Sequence, residues 1–370
     1  MTGIGVEEEF LLVDPRTGVS CPRAEAVLER HRVCCPLPDG AAVHRELRPT
    51  QIEAATGVCE TADELYEHLS AGRRSLAEAA AGEDCAIIAS GTPLCPSPLC
   101  PSPDRDYGAG DRFGKVDALY AGVVKAYEAC GCHVHIGVPD RETAIAVVNH
   151  LGEWLPTLLA LSGNSPFEGG RDTGYDSWRM VEQSRFPGSG IAPYFADAAG
   201  YEEQVGKLVD CGVLVDDNQT FWLARPSTRW PTVEVRVADT ASTVDEAVLQ
   251  GLLTRALVRT ALADLDHGTE AVPLDPQIAA AAVWSAARHG LSGPAVDPVA
   301  GKPVPVGDRV AALLTRTEQA LEDTGDLGLV RTLLGKLERE GTGAERQRRA
   351  AADGEVAVLR MLTEETVPHG

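Results

Sequence analysis

The sequence predicts an α+β fold built on an antiparallel sheet, and three observations predict it. Strand-like segments dominate the first two thirds of the chain, whereas the residues after about 240 read as successive helices. No stretch alternates strand and helix in the manner of βαβ units, which argues against a parallel sheet. Three strands carry apolar side chains on one side and ionisable ones on the other, the pattern of a sheet with one face packed on a core.

In chain order, residues 4–13 read as a strand closed by the turn Asp14-Pro15-Arg16-Thr17-Gly18, and residues 43–57 as an extended region interrupted by Pro49. The first 60 residues are therefore expected as strands and turns. Thr61-Ala-Asp-Glu64 is a capping box, opening a helix that carries Leu65, Leu69 and Leu76 and ends near Gly82. A short buried strand is expected at 85–91, then a Pro/Ser/Gly-rich loop over 93–111, of a length usually met in functional covers or in simply disordered segments. A strand at 132–138 and a helix at 142–161 follow, then a polar loop at 163–190 and a strand at 232–238. Thr243-Val-Asp-Glu246 caps an amphipathic helix running to about Leu265, and further helices occupy 275–365, broken by a Pro/Gly loop at 292–307. The expected organisation is one domain over residues 1–370, with a sheet-rich core to 240 and a helical completion from 241.

With 370 residues, 44% apolar and 24% charged, and a mean hydropathy of -0.10, the chain has an ordinary globular composition. No apolar run is long enough for a transmembrane helix, and the N-terminus lacks the basic region of a signal peptide. A cytoplasmic location is expected, with no membrane partner. The net charge of -22 repels a phosphate backbone and argues against nucleic acid. A nucleotide remains compatible, because carboxylates hold Mg²⁺ and Mg²⁺ holds phosphates. The ten cysteines are expected as reduced thiols. A homo-oligomer is compatible with the sequence, which does not specify one.

Alternate side chains of a strand share a face. Glu7 and Glu9 thus share one face, opposite Val6, Glu8 and Phe10; His133 and His135 share one, opposite Cys132, Val134 and Ile136; Glu234 and Arg236 share one, opposite three valines. A solvent-facing sheet side explains any one of these strands. Three of them, bearing Glu, His and Arg, point to a sheet face that collects carboxylates and imidazoles around divalent cations, with Mg²⁺ or Mn²⁺ favoured by the oxygen donors. Glu53 is in phase with Gln51 and can join them. Glu46 is seven residues earlier and can face the same way only because Pro49 breaks the strand; an ordinary surface carboxylate explains it equally well. Glu8 is expected to be structural or paired with a base, and Trp222 and Trp230 to be core or wall residues.

Five collinear segments carry a resemblance: GVEEEF at 5–10, QIE at 51–53, GCHVHIGV at 131–138, LLALSGNSPF with GRDTGYDSWR at 158–179, and ARPSTRWPTVEVRVAD at 224–239. Together, over roughly residues 3–265, they resemble the type 2 glutamate–cysteine ligase family, whose bacterial members are often called carboxylate–amine ligases. The resemblance implies a glutamine-synthetase-like fold, in which an antiparallel sheet curls into a funnel holding ATP and metal ions. It implies metal ligation by Glu7, Glu9, Glu46, Glu53 and Glu234, with His133 near the nucleotide phosphates and Arg236 on phosphate. Arg179 falls on the arginine that binds the carboxylate of the glutamate substrate. Arg225 is expected to stabilise the transferred group, and Tyr175 and His135 are further candidates on the substrate side. The reaction implied is ATP-dependent amide formation between a small acid and a small amine, with glutamate and cysteine as leading substrates. Three departures lie in loops and bear on the substrates: Pro93-Leu94 after Thr92, Glu168 after NSPF, and Trp222-Leu223-Ala224-Arg225-Pro226 in place of Trp-Asp-Ile-Arg-Pro.

Other readings are weaker. Cys132 and His133 point to opposite faces and cannot readily share a zinc ion. A P-loop, a Rossmann fingerprint and a nucleophile elbow are all missing from the sequence. A non-catalytic nucleotide- or amino-acid-binding protein on the same scaffold, and a metal-dependent hydrolase using the two histidines, stand as alternatives.

Overall fold

The computed structural model describes residues 3–95, 112–125 and 127–368, so most of the 93–111 loop lies outside the described residues. The central element is a seven-stranded sheet. Its strands are β1 (Ile4–Val13), β2 (Ala42–Arg45), β3 (Gln51–Ala55), β4 (Ala86–Ile88), β5 (Gly131–Gly137) and, beyond a small hairpin of β6 (Phe167–Glu168) and β7 (Arg171–Asp172), β8 (Ala224–Pro226) and β9 (Thr232–Asp239). The order is β2-β3-β1-β5-β9-β8, with β4 paired to the far end of β1, and every pairing is antiparallel. A second hairpin, β10 (Pro294–Asp297) with β11 (Lys302–Pro305), lies among the later helices.

The helices are α1 (Ala24–Cys34), α2 (Ala62–Ala81), α3 (Arg112–Tyr120), α4 (Gly122–Lys125), α5 (Arg141–Leu151), α6 (Leu155–Ser162), α7 (Trp178–Gln183) and α8 (Ala198–Asp210). The C-terminal set is α9 (Val244–Asp266), α10 (Pro276–His289), α11 (Val306–Thr324), α12 (Leu327–Glu340), α13 (Gly343–Ala351) and α14 (Glu355–Thr366). Among the described residues no single helix is long and apolar enough to cross a membrane.

Both capping boxes form: Thr61 accepts from the Glu64 amide and Thr243 from the Glu246 amide, starting α2 and α9. These helices cover the apolar face of the sheet. One buried cluster unites Ile4 and Val6 of β1, Leu65 of α2, Val134 of β5, Leu252 of α9 and Leu337 of α12. Gly251 lets α9 lie close: a Cβ there would sit 2.9 Å from Leu65 Cδ2. The ionisable face is left for a site.

Glu8, on the covered face, pairs with Arg73 of α2 as expected. The guanidinium donates to Glu8 at 2.5 and 3.0 Å and also to the carbonyls of Ala241, Ser242 and Thr366.

Three expectations are corrected. The 142–161 helix is two helices, α5 and α6, meeting at 67°, because Pro156 cannot continue the hydrogen-bond ladder and its ring would strike the carbonyl of residue 152. Residues 24–34 form α1 rather than strand or turn; it begins without a side-chain cap, although Ala24, Val27, Leu28 and His31 make its buried stripe. Cys34 and Cys35 are paired as an adjacent-residue disulfide, while Cys21, Cys59, Cys85, Cys95, Cys130, Cys132 and Cys211 are free.

Candidate active site

Strand register assembles the site. Across β1 and β3, Glu9 stands opposite Glu53; across β1 and β5, Glu7 stands opposite His133. Glu234 of β9 lies between His135 on β5 and Arg225 on β8. Register slips between β5 and β9 around His133, where β9 carries an extra residue, and such a bulge re-aims side chains locally. Arg236 sits in it, bonded to Glu234 and 3.4 Å from His133 Nδ1.

Two carboxylate clusters result. In one, Glu7, His133 and Glu234 each present a donor atom within 4.8 Å of the others; in the second, Glu9, Glu46 and Glu53 do the same. Glu46 thus turns inward from the break before β3, so the sequence placement through Pro49 agrees with the geometry. His133 Nδ1 is 3.6 Å from Glu7, its Nε2 is 3.8 Å from Glu9, and His135 Nε2 is 3.5 Å from Glu7. Thr232 Oγ1 lies 3.0 Å from the other ring nitrogen of His135.

The two clusters differ electrostatically. Burial raises the Glu9 carboxyl, and the Glu46 carboxylate beside it raises it further, to about 8. Burial and then Glu46, Glu7 and Glu9 push Glu53 well above the usual carboxylate range. The trio is therefore under like-charge stress that a divalent cation would relieve. Burial also penalises Glu7 and Glu234, but both are held well below the usual range, Glu7 by His133 and His135, and Glu234 by Arg236 and Arg225. His133 is pushed down to about 4 by burial and Arg236, so it is neutral at pH 7.

Above the sheet is a cavity of about 280 Å³ whose wall includes Glu9, Glu46, His133, Arg179, Arg225 and Arg236. A larger cavity of about 430 Å³, lined by Val148, Met180, Ile191, Val283 and Trp284, lies away from the carboxylates and offers mainly apolar walls. The chemistry is in the smaller one.

Arg225 grips Glu234 with Nε at 2.8 Å and Nη2 at 3.3 Å. Arg179 is 2% exposed; its guanidinium donates to the carbonyls of Arg236 at 3.1 Å and Val237 at 3.4 Å. Tyr175 is not brought into the cavity wall. It turns to α10, where its hydroxyl accepts from Trp284 Nε1 at 3.1 Å and its ring lies 5.5 Å from the Arg288 guanidinium. Trp222 is buried in a cluster with Phe195 and Tyr201, but Trp230 is 54% exposed and so is neither core nor wall.

Sequence reasoning missed two supports of this arrangement. Gly131 donates its N–H to Glu9 at 2.5 Å, and a Cβ there would lie 2.3 Å from Arg179 and 2.9 Å from His133. The glycine opening the Gly131-Cys-His motif was the available signal. Asp239, buried at the end of β9, accepts from the Ser165 and Ser177 hydroxyls at 2.6 and 2.7 Å and from the Asn164 amide at 3.0 Å. It thereby ties down the loop that leads into Arg179. No spacing rule singles it out.

Comparison with known proteins gives a consistent result. The sequence model of glutamate–cysteine ligase family 2 (GCS2) matches residues 3–365. The chain belongs to that family. Family 2 ligases are ATP-dependent enzymes, and this chain is a glutamate–cysteine ligase-like, carboxylate–amine ligase. A relative from Saccharopolyspora erythraea, provisionally named glutamate–cysteine ligase 2-2, is 52% identical over 99% of this chain and 92% of its own. A provisionally named glutamate–cysteine ligase 2-1 from Nocardia farcinica is 40% identical over 96% of this chain and 91% of its own. Among solved structures, the Francisella tularensis glutamate–cysteine ligase in complex with AMP superposes with a TM-score of 0.70 at 14% identity, covering 100% of this chain and 89% of that one. That likeness, with the antiparallel sheet and its covering helices, establishes the expected glutamine-synthetase-like fold class.

Proposed function

We propose that this family 2 ligase activates the side-chain carboxylate of glutamate as an acyl phosphate and joins it to cysteine or another small amine. The observation that carries the reading is the pair of carboxylate clusters on one sheet face, beneath a cavity whose wall carries four arginines, Arg112, Arg179, Arg225 and Arg236. A single catalytic domain over residues 1–370 is part of the proposal, supported by the buried cluster that joins β1 to α12.

A free carboxylate is a poor electrophile, because oxide is a poor leaving group. Transfer of the γ-phosphoryl group of ATP onto a carboxylate oxygen breaks the bond to ADP and makes inorganic phosphate the later leaving group. The amine then attacks the acyl carbon, loses a proton, and expels phosphate. The enzyme's part is positioning and charge neutralisation, so no protein nucleophile is required.

The donor sets fit hard divalent cations. Glu9, Glu46 and Glu53 would hold Mg²⁺, and Glu7, His133 and Glu234 would hold Mg²⁺ or, with its imidazole, Mn²⁺. When bound, such ions neutralise and orient the polyphosphate. Arg225 and Arg236 add fixed positive charge at the same wall, where charge builds on the transferred group. His133 is neutral and can donate a hydrogen bond without adding charge, while His135, two residues further along the strand, would lie deeper or nearer the second substrate. Arg179 offers a planar fork for the carboxylate that is not activated.

The test is ADP release with Mg²⁺ across pairs of amino-acid acids and amines. Release is expected to depend on glutamate and an amine together. ATP hydrolysis indifferent to both, or ATP binding with no turnover on any pair, would overturn the reading.

A further inference from the structure

Gln183 is a polar group on the cavity wall that plays no part in the scheme above. Gln183 is four residues beyond Arg179 on α7, so the two side chains project from the same side of the helix. Both line the cavity, and both are buried, at 2% for Arg179 and 4% for Gln183. Among the described residues, nothing donates a hydrogen bond to the side-chain oxygen of Gln183. An orphaned buried acceptor is unfavourable, and its natural remedy is a donor carried by the ligand.

The chemistry of its neighbour says which donor. Arg179 has five N–H groups and no acceptor. Two of its terminal nitrogens reach the carbonyls of Arg236 and Val237, one of them also lies 3.9 Å from the Asp239 carboxylate, and among the described residues its Nε has no partner. A guanidinium can hold a carboxylate but cannot accept from an ammonium. An α-amino acid carries both groups on one carbon, so whatever holds the ammonium must be an acceptor within a few ångströms of the guanidinium. Gln183 is the acceptor that α7 supplies there. Gln51 also lines the cavity with an unpartnered oxygen, but its amide nitrogen is tied to the Ala129 carbonyl at 2.8 Å and it sits on β3 beside the carboxylates.

We infer that Gln183 accepts a hydrogen bond from the α-ammonium of the acid substrate, making the Arg179–Gln183 pair a reader of α-amino acids as against simple dicarboxylates. The inference rests on the proposal that Arg179 binds the acid.

Its test compares L-glutamate with glutarate, which has hydrogen in place of the ammonium. Activation is read by trapping with hydroxylamine, which attacks the acyl phosphate to give a hydroxamate and inorganic phosphate and so does not need the natural amine. The wild type is expected to prefer glutamate in kcat/KM. Gln183→Met, similar in size but without the amide oxygen, should shrink that preference by about tenfold or more, as expected for a lost hydrogen bond to a charged group. Gln183→Glu, which keeps an acceptor, should retain the preference and covers the case in which the methionine variant folds poorly. An equal loss with both acids, or a collapse of the preference in Gln51→Met instead, would overturn the inference alone. Turnover by the wild type with neither acid would overturn the ligase proposal and this inference with it.

Discussion

Glu9 and Glu53 face one another across two strands with Glu46 close by, so three carboxylates share a space that comfortably holds one charge. The consequence for stability can be signed. Glu9 titrates near 8 in the folded chain against an ordinary value of 4.5, so between these limits the native state binds the extra proton and stability falls as pH rises. His133 acts oppositely. Its value of about 4 against 6.5 adds stability as pH climbs through that interval. Above pH 6.5 only the raised groups remain, with His135 acting in the same direction as Glu9 because Glu7 and Glu234 overcome its burial. Metal-free protein should therefore lose stability between pH 6.5 and 8, by about 2 kcal/mol for the Glu9 share. Glu9→Gln should make that slope shallower while removing most ATP turnover, and denaturant titrations at several pH values with chelator present read both slopes. A slope unchanged in the variant would mean that Glu9 does not carry the stress described.

At the scale of elements, β5 is where the site depends on something other than ionisable side chains. Gly131 leaves room for the Arg179 guanidinium and the His133 ring to approach the strand. Gly131→Ala should fold, because the nearest colliding atom is the end of a long side chain, yet it should push Arg179 aside. We expect the KM for the acid to rise by about tenfold or more and kcat to fall with it, since a displacement near 1 Å can cost two orders of magnitude in rate. Steady-state kinetics with thermal denaturation as a control separates this from misfolding. Unaltered kinetics would remove Arg179 from the acid site.

The strands were legible because period-two alternation exposes the two faces directly: Glu7 and Glu9, His133 and His135, and Glu234 and Arg236 needed only that rule, and the register now brings them together. The capped helices were legible for a similar reason, since Thr61 and Thr243 each announce a start. What was not legible came from tertiary geometry. α1 has a four-residue apolar stripe but no cap to mark its beginning. Asp239 looks like any strand-end carboxylate until three hydrogen-bond donors converge on it. Tyr175 sits in the same GRDTGYDSWR segment as Arg179, but α10 captures its hydroxyl.

For the molecule as a whole, Arg73 is the residue through which distant parts are joined. It is fully buried, paired with Glu8, and bonded to carbonyls at Ala241, Ser242 and Thr366. Arg73→Met would leave the Glu8 carboxylate without its partner in an apolar layer, at an expected cost of about 3–5 kcal/mol. Replacing both Glu8 and Arg73 by leucine should recover part of that loss. Equilibrium denaturation of the three proteins checks the order. A single variant as stable as the wild type would show the pair to be dispensable.

The same tie has a consequence for how the chain is made. Arg73 and Thr366 are separated by 293 positions, and contacts so remote in the chain are slow to close. Glu8 lies between Glu7 and Glu9, so the strand that bears two of the proposed acidic ligands is synthesised well before residue 366. Its anchor is complete only when residue 366 has followed. A nascent chain halted anywhere before α14 would carry the acidic face already written in β1 but with Arg73 still short of one carbonyl. Metal affinity measured on stalled chains of increasing length should accordingly rise late, as α14 emerges, and not when β9 first delivers Glu234.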